Sequence, residues 1–557
     1  PVNDTAAATG TRDAGGDLTV QAVADTEIGA YSLAGAVATN SSQQTSAPAS
    51  AGTTDSGSGS AAGGGAGQGK FGIAMSGDAS VNDITATTVA TLGDGVRVTQ
   101  ADDVTVSAGN TLAINALSGA VTISTQPQGN SIAGSYAQNT LAGTTSAYIA
   151  DAIVTQNGTL TLDADVDGNI KTLSASLAGA KGKAGVAGSV SVNEISNTTH
   201  AYVARSSLSG VSTAFIGASD LSGIQSIAGA IAFGGKAGIG LSFAWNKLDN
   251  DTLVYVDDSD LQAGGSITLD AQTDNDIDTI SASLGLSKGP LAGSGAVAVN
   301  TITNTTEARI RGKKTALGMD AASGIAVLAK DDSEIFALAG AIGATSGNAG
   351  IGASVAWSEV GNSVKATIAG GADVRTTNGE LKVDAAADTR IDATAVAGGV
   401  ADKVAVSGSF SSVETDNTVS ASIVGSKAQA DNGAVIVTAR DTSGMLSIAG
   451  SAALSLGGAA IGVGVASNVI DNTTEALVTN SDVDGTSIRL EATENAEIEA
   501  IAAGGGGSAK VAVTGSLGIN TISNSTVAHA AGSDLDASGD ITIKARDESE
   551  ILSISGA

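Results

Sequence analysis

The stretch AVAVNTITNTTEARI, residues 296–310, decides the fold because its outline returns throughout the chain. The copies include SVSVNEISNTTHAYV (189–203), VGVASNVIDNTTEALV (463–478) and SLGINTISNSTVAHA (516–530). They share small apolar residues, a pair of Asn residues and a Thr-rich bend, whereas their chemically reactive residues differ. An outline that persists while the reactive side chains change indicates a repeated structural unit.

A second landmark, typified by ITLDAQTDNDI at 267–277, gives the length of the unit. Its copies start at Leu18, Val104, Leu160, Ala214, Ile267, Ile325, Leu381, Val435, Ile488 and Ile541. From Val104 onward the starts lie 53 to 58 residues apart, so the unit has about 54 residues. The units that start at Ala214, Ile325 and Val435 contain segments such as SIAGAIAF, which their neighbours lack. The sequence therefore predicts repeat units in alternating pairs.

Each unit contains four segments with the character of β-strands. The first, such as ITLDA from Ile267, alternates apolar and polar residues, and the fourth, TTEARIR at 305–311, does the same. The middle two, SIAGAIAF (226–233) and AGIGLSFAW (237–245), are small or apolar at nearly every position. Their Gly density argues against helix, because each interior Gly costs about 1 kcal/mol relative to Ala. The middle strands are therefore predicted to be covered on both faces, either by close-packed sheets or by a partner.

The predicted fold is all-β, a repetitive β-solenoid rod similar to a parallel β-helix and built from units of about 54 residues. The short link GGK at 234–236 suits either a hairpin turn or a solenoid corner. Stacked β-hairpin or meander repeats are therefore the alternative fold.

Residues 1–557 are predicted to form one continuous repeat array, and we expect the chain to be a fragment of a longer polypeptide because its last unit is incomplete. Residues 41–69, rich in Ser, Gly and Ala, are predicted to be a flexible insertion loop within the first unit.

One Asn recurs at the bend between the third and fourth strands. It is Asn197, Asn250, Asn304, Asn362, Asn417, Asn472 and Asn524 in successive units. Asn tolerates left-handed backbone conformations and caps turns through its side chain, which favours it where a strand changes direction. We predict that these residues are the structural corner of each unit and that they stack as an Asn ladder.

The composition restricts the partners. The net charge is -30 and the sequence pI is about 4.2, so the surface would repel nucleic acid, and none is expected as a partner. The longest uncharged run, 445–470, is long enough to span a membrane. Its equivalent at 224–246 contains Lys236, and both are broken by Gly and Ser, so no membrane span is predicted. The absence of Cys excludes disulfides and thiol chemistry.

The pattern of acidic residues and His does not form a catalytic group. Acidic residues recur at one outward strand position, as Asp163, Asp270, Asp384 and Glu491, which is typical of a solvated face. His200 and His529 lie in different units, too far apart to share a metal site or a triad. The chain is therefore predicted not to be an enzyme. A β-helical glycan-active enzyme, which would need paired carboxylates in a cleft, is the alternative.

The sharpest local motif is DADVDGN at 163–169. Asp163, Asp165 and Asp167 match the opening D-x-D-x-D-G of calcium loops, although the distal Glu is absent. These three residues are the candidate calcium site, and calcium is the one cofactor that the sequence leaves open. A calcium-stabilised adhesin is accordingly a second alternative function.

The units GSVSVNEISNTTHAYV (188–203) and LTLDADVDGNI (160–170), repeated over nearly the whole chain, resemble repeats of very large secreted bacterial exoproteins. These are the filamentous-haemagglutinin-like and leukotoxin-like filamentous adhesins. The resemblance implies a β-solenoid stalk outside a Gram-negative cell, often exported by two-partner secretion, that serves adhesion, aggregation or matrix building. We therefore expect a secreted, non-catalytic structural or adhesive fibre of the bacterial cell surface. It would self-associate into fibres or bundles, with a cell-surface or glycan ligand left open.

Overall fold

A computed structural model describes residues 2–8, 11–13, 15–39, 72–93, 95–315 and 318–557 of the protein. Within these ranges the chain forms β-strands joined by turns and bends. The same ranges contain no helix of the length and apolar character needed to cross a membrane. The insertion loop predicted at 41–69 lies outside the described residues.

The strands are as follows in chain order. They are β1 (Val2–Ala8), β2 (Thr11–Asp13), β3 (Leu18–Ala38), β4 (Ile73–Leu92), β5 (Arg97–Ala101), β6 (Val104–Ser124), β7 (Asn130–Ala150), β8 (Ile153–Gln156), β9 (Leu160–Ala180), β10 (Ala184–Ile195), β11 (Thr198–Ala204), β12 (Ser207–Val211), β13 (Ala214–Gly234), β14 (Ala237–Leu248), β15 (Asp251–Asp257), β16 (Asp260–Ala263), β17 (Ser266–Ser287), β18 (Leu291–Ile302), β19 (Thr305–Arg311), β20 (Met319–Ala321), β21 (Gly324–Thr345), β22 (Ala349–Val360), β23 (Ser363–Ala369), β24 (Asp373–Thr376), β25 (Leu381–Ala401), β26 (Val404–Thr415), β27 (Thr418–Val424), β28 (Lys427–Ser455), β29 (Ala459–Ile470), β30 (Thr473–Thr479), β31 (Asp482–Ser508), β32 (Val511–Ile522), β33 (Ser525–Ala531), β34 (Asp534–Ala537) and β35 (Ile541–Gly556).

One complete coil, residues 160–211, shows the plan of the stack. The long strand β9 crosses the coil, a turn at 181–183 reverses the chain, and β10 and β11 return with a bend at 196–197 between them. The short strand β12 then leads into β13, which lies beside β9. These two long strands pair residue for residue along the full length of β9, so each coil repeats the path of the coil before it.

Two sheets face each other across the coil. The long strands and the short strands such as β12 form one sheet, and the returning strands such as β10 and β11 form the other. All strand pairings within the described residues are parallel. This confirms the predicted β-solenoid and excludes hairpin repeats, because a hairpin pairs its strands antiparallel. The link at 234–236 is a solenoid corner, since the strands on either side of it belong to different sheets.

The unit differs from the four predicted strands in two ways. The first and second predicted strands are one strand, such as the 21-residue β9, whose side chains alternate between interior and exterior without interruption. A short additional strand, such as the five-residue β12, precedes the next coil. The prediction divided the long strand because its two ends differ in composition, and that difference reflects two kinds of core.

Large apolar side chains fill one half of each coil. In the coil at 160–211 this half consists of residues 160–170 and 195–211, and we call it and its equivalents the large-residue half. Leu160, Leu162 and Ile170 point inward there and are fully buried. Burying a side chain of this size stabilises the fold by about 1.5–3 kcal/mol, so most of the apolar stabilisation lies in this half.

The remaining half, residues 171–194 and its equivalents, has a core of Ala, Ser, Thr and Gly; we call it the small-residue half. The facing sheets lie so close that a Cβ at Gly185 would overlap the carbonyl oxygen of Phe233. A Cβ at Gly240 would lie 2.6 Å from the carbonyl oxygen of Leu284. Of the predicted cover on both faces, the facing sheet supplies the inner one, and in the single chain outward residues such as Ile231 remain exposed.

The strand lengths fix the proportions of the stack. A strand of 21 residues spans roughly 70 Å at about 3.3 Å per residue. The ten long strands, spaced by about 4.8 Å, extend roughly 45 Å along the stacking axis. The described stack is therefore broader across a coil than it is tall, and it presents two wide outer faces.

Candidate functional site

The corner Asn residues form a continuous ladder along the stack. Asn197 lies in the bend between β10 and β11, and its backbone N–H donates to Oδ1 of Asn250 in the next coil at 2.8 Å. The N–H of Asn304 likewise donates to Oδ1 of Asn362 at 2.9 Å. The same bond continues through Gly143, Asn197, Asn250, Asn304, Asn362, Asn417, Asn472 and Asn524. Every bend in this run is thus hydrogen-bonded to the equivalent bend of its neighbour.

The amide nitrogen of each corner reaches across the core to the long strand. Nδ2 of Asn250 donates to Oδ1 of Asp220 at 2.9 Å, and Nδ2 of Asn362 donates to Oδ1 of Asp331 at 2.6 Å. These side chains are buried, so their polar groups need protein partners. The corner amides therefore connect successive coils and also connect the two facing sheets.

The backbone at the corners differs from the prediction. No corner Asn among the described residues has a positive φ. The left-handed residues lie in the following turn instead, as Asp151, Arg205, Asp258 and Asn480 do, with φ of 53°, 48°, 45° and 51°. Asn is required at the corner for its hydrogen bonds rather than for a left-handed conformation.

A second Asn ladder runs inside the small-residue half, and sequence reasoning missed it. Nδ2 of Asn193 donates to Oδ1 of Asn246 at 2.7 Å, and Nδ2 of Asn246 donates to Oδ1 of Asn300 at 2.8 Å. Thr279 of the long strand bridges Asn246 and Asn300, because its Oγ1 accepts from Nδ2 of Asn246 and donates to Oδ1 of Asn300, each at 2.6 Å. The ladder is interrupted where Ser358 replaces Asn. The sequence feature that could have revealed this ladder is the first Asn of each pair in the repeated stretch, because that Asn recurs at the same spacing as the corner Asn.

Buried Asp carboxyl groups line the long strands opposite the corners in every second coil from Asp220 to Asp441, and Glu494 adds a buried carboxyl in the coil after Asp441. Asp220, Asp331 and Asp441 are almost fully buried, whereas the intervening coils place Thr273 and Ala387 in the same column. The carboxylates of Asp220, Asp331 and Asp441 accept from the Ser two residues later, and the exposed Asp547 does the same; the pairs are Asp220 with Ser222, Asp331 with Ser333, Asp441 with Ser443 and Asp547 with Ser549. This Asp-x-Ser pattern belongs to one class of the alternating units, and comparing the two classes position by position would have revealed it.

Burial alters the ionisation of this column. Desolvation raises the pKa of Asp220 to about 7 and that of Asp331 to about 6, against the opposing effect of their hydrogen-bond donors. Burial, together with Glu494 on the next coil, raises the pKa of Asp441 well above its usual range. A protonated carboxyl donates as well as accepts, so the column is electrically neutral over part of the acidic pH range.

The candidate calcium residues lie on the outside of a single extended strand. Asp163, Asp165 and Asp167 occupy alternate positions of β9, so their side chains form a row along one strand rather than surrounding a loop. Burial, followed by the charge of Asp165, raises the pKa of Asp163 to about 6. Among the described residues no group of three or more His, Cys, Asp or Glu side chains is arranged to hold a metal ion.

The two His residues and both Trp residues of the chain lie on the outer faces. His200 and His529 are on β11 and β33, six coils apart, and Nε2 of His200 lies 3.4 Å from Oδ2 of Asp251. Trp245 and Trp357 share one outward column of the small-residue half, and Trp357 is 42% exposed. The structure does not bring these residues together into a site.

Three Tyr residues stack on the outer face of the large-residue half. The ring centroids of Tyr148 and Tyr202 are 4.6 Å apart, and those of Tyr202 and Tyr255 are 4.5 Å apart. Arg309 caps the column, with its guanidinium carbon 4.7 Å from the ring centroid of Tyr255. In-register stacking places identical rings one strand spacing apart, so this column also serves the contact between coils.

The outer faces of the small-residue half carry exposed apolar residues. Ile231 and Phe233 on β13 are 38% and 42% exposed, and Leu241 and Phe243 on β14 are 52% and 37% exposed. A shallow apolar groove of about 640 Å³ runs across seven successive long strands from Leu33 to Val396, lined by residues such as Leu177, Ile231 and Leu284. These faces, rather than a cleft with convergent polar groups, are the candidate functional site.

Comparison with known proteins gives no relative for the chain. No protein-family model, no curated protein and no solved structure matches it.

Proposed function

We propose that the protein is a non-catalytic structural or adhesive component of a bacterial cell surface, acting outside the cell as part of a fibre or matrix. The observation that carries this proposal is the continuity of the stack. The corner ladder, the buried Ile column and the parallel strand pairing pass from coil to coil in the same register. The repeated residues of this chain make contacts between its own coils, so the chain is suited to bear mechanical load and to expose large outer faces for binding.

The hydrogen-bonding pattern favours mechanical resistance. Separating two neighbouring coils requires the simultaneous loss of a 21-residue strand pairing and of the shorter pairings on the opposite sheet. The corner and inner Asn bonds at the same boundary would be lost with them. Because every boundary between coils combines these bonds, we expect neighbouring coils to resist separation.

The wide outer faces favour a function in binding other surfaces over a function in extending far along the stacking axis. Each coil of about 54 residues adds only about 4.8 Å to the axis, whereas it adds a full strip to both outer faces. The resemblance of the repeats to those of filamentous exoproteins supports adhesion, aggregation or matrix building. A cell-surface or glycan ligand would then bind along a face, where many equivalent positions lie side by side.

Electron microscopy and bead aggregation test this proposal. Purified protein is expected to form plates or ribbons, and beads coated with it are expected to clump or to bind bacterial cells. Beads coated with heat-unfolded protein are the matched control and should stay dispersed. Separate compact lobes in the images, or soluble sugars released from a panel of polysaccharides, would contradict the proposed role.

A further inference from the structure

The apolar groove on the face of the long strands is built from two neighbouring columns of outward residues. Column 1 has small residues in five successive coils, namely Gly119, Ala175, Gly229, Ala282 and Gly340. Two residues further along the same strands, column 2 has large residues, namely Val121, Leu177, Ile231, Leu284 and Ile342. Column 1 is thus the floor of the groove and column 2 is one of its walls.

The two columns exchange their sizes at both ends of the groove. In the first coil column 1 holds Leu33 and column 2 holds Gly35, and in the seventh coil they hold Val396 and Gly398. Seven successive coils therefore each have one large and one small residue at this pair of positions. In the eighth and ninth coils both columns are small.

Packing within one copy of the chain does not require this alternation. A Cβ at Gly229 or Gly340 would meet no atom within 4 Å, so nothing in the chain bars a side chain there; only at Gly119, where a Cβ would lie 2.7 Å from Cδ1 of Leu33, does contact within one copy favour a small residue. Neighbouring outward positions are constrained to share a constant volume when another surface covers both of them. The size exchange therefore indicates a covering surface with matching recesses and projections.

We propose that this face is covered by the same face of a second copy of the chain, with the two stacks side by side and running in the same direction. A two-fold axis parallel to the stacking axis places column 1 of each copy against column 2 of the other, coil by coil. Each large residue then meets a small one in all seven coils, including the two where the sizes are exchanged. The antiparallel arrangement instead sets column 1 against column 1, bringing Leu33 against Val396.

Charge also favours a second copy. The chain has 56 acidic and 26 basic residues, so most of its surface repels another copy. Columns 1 and 2 and the flanking columns that contain Ile227 and Phe233 have no charged residue in any described coil. Two copies can therefore meet on this face without bringing carboxylates together.

The available area is sufficient for a stable dimer. Four outward columns on ten long strands, at roughly 6.6 Å along a strand and 4.8 Å between strands, cover roughly 1,300 Å² in each copy. A specific protein interface buries about 800 Å² per partner. The inference deepens the proposed structural role by identifying the partner, and it rests on that role.

Sedimentation velocity of the full chain over a range of concentrations tests the inference with a substitution and its compensated form. Gly229→Ile places a large residue opposite Ile231 of the partner twice in each dimer and is expected to weaken association roughly tenfold or more. The double variant Gly229→Ile, Ile231→Gly reproduces the exchange found in the first and seventh coils and should restore dimer formation. Gly188→Ile, where an added Cβ also meets nothing, lies on the opposite outer face and is the matched control.

Directed cross-linking tests the orientation, because the chain has no Cys of its own. A mixture of the single variants Gly340→Cys and Ile342→Cys is expected to form a mixed disulfide dimer under mild oxidation. A mixture of Gly119→Cys with Ile342→Cys should not, because those residues lie four coils apart in the parallel arrangement.

The outcomes separate this inference from the proposed function. A chain that stays monomeric at all concentrations, or whose single and compensated variants associate alike, overturns the parallel dimer, while ribbons and bead clumping would still support the structural role. Equal binding of the parent and both variants to neutral phospholipid vesicles, with no self-association, would assign the face to a lipid surface instead and also overturns the inference.

Discussion

The two halves of each coil distribute large apolar residues in opposite ways. In the large-residue half Leu162 and Ile170 point inward, and Asp163 and Asp165 point to solvent. In the small-residue half the interior holds residues such as Ser174, and the large residues point outward. The first half is organised to hold one chain together. In the second half the two sheets pack closely together, and their outer faces are free to contact another molecule.

The largest expected effect comes from filling the thin core. Gly238→Leu would drive a side chain into the carbonyl of Leu286 on the opposite sheet, so we expect a loss of more than about 4 kcal/mol, enough to abolish cooperative unfolding of that region. Circular dichroism during thermal unfolding measures it. Gly188→Leu, on the outer face of the same half, is the control and should fold normally. Equal destabilisation by the two substitutions would show that the inner and outer faces of this half do not differ as described.

Truncating a large apolar side chain should destabilise the fold much more in the large-residue half than in the small-residue half. Ile170→Ala, in the large-residue core, is expected to cost about 2–5 kcal/mol because it leaves a cavity. Ile231→Ala, outside the small-residue half, is expected to cost less than about 0.5 kcal/mol in the monomer. Urea unfolding at a protein concentration below dimer formation makes the comparison. Similar costs at the two positions would contradict the assignment of the core.

Because burial raises the pKa of the carboxyl groups in this column, we expect the stability of the fold to decrease as the pH rises. An unfolded Asp has a pKa of 3.8 and Asp331 has a pKa of about 6 in the fold, so the folded chain binds more protons between these values. Its contribution is full below pH 3.8, is lost as the pH rises towards 6, and amounts to about 3 kcal/mol. Asp331→Asn should reduce the slope of unfolding midpoint against pH over that window. Glu499→Gln, on the outer face of β31, is the control for the loss of one acidic side chain.

Interrupting the inner Asn ladder should have a smaller effect. Asn246→Ala removes bonds to Asn193, Asn300 and Thr279 in a buried column and is expected to cost about 1–3 kcal/mol. Ser358 already interrupts the column, and its hydroxyl has no protein partner, so Ser358→Ala should be close to neutral. Chemical unfolding of both variants gives the comparison. Equal costs would mean that the amide bonds between coils add little to stability.

The smallest expected effect concerns calcium. Asp163, Asp165 and Asp167 lie in a row on the outside of one strand rather than around a loop, so neither added calcium nor a chelator should move the thermal midpoint. Differential scanning calorimetry with and without each reagent checks this. A midpoint that rises with calcium in the parent chain, and does not in an Asp165→Asn variant, would restore the calcium-stabilised adhesin as the better account.

The repeat length, the all-β class and the alternation of units could be predicted from the sequence because stacked coils must present the same residue types at the same positions. The sequence also predicted the solenoid but left stacked hairpins open, because the link at 234–236 suits either connection and only the pairing partner distinguishes them. The prediction of four strands failed for a related reason. A change of composition along one strand was interpreted as a boundary between two strands.

The site was less predictable than the fold. The corner position of residues such as Asn197 follows from their spacing, but their backbone conformation does not, since the same residue type serves left-handed turns and cross-core hydrogen bonds equally. The partnership of Asn250 with Asp220 joins residues 30 positions apart on facing sheets. The direction in which Ile231 points could not be decided either, because nearly every residue around it is small or apolar.

The Asp-x-Ser pattern of alternate units has a consequence for how such a gene changes its length. Removing residues 214–324 would bring Val166 beside Asp331, the same kind of neighbour that it has now in Asp220. Removing a single unit would instead bring Val166 beside Thr273 and leave the buried amide of Asn197 without its carboxylate-bearing partner strand. Between Val166 and Asp441, where the column alternates, removal of units in pairs therefore preserves the neighbours of each buried residue, whereas removal of one unit does not.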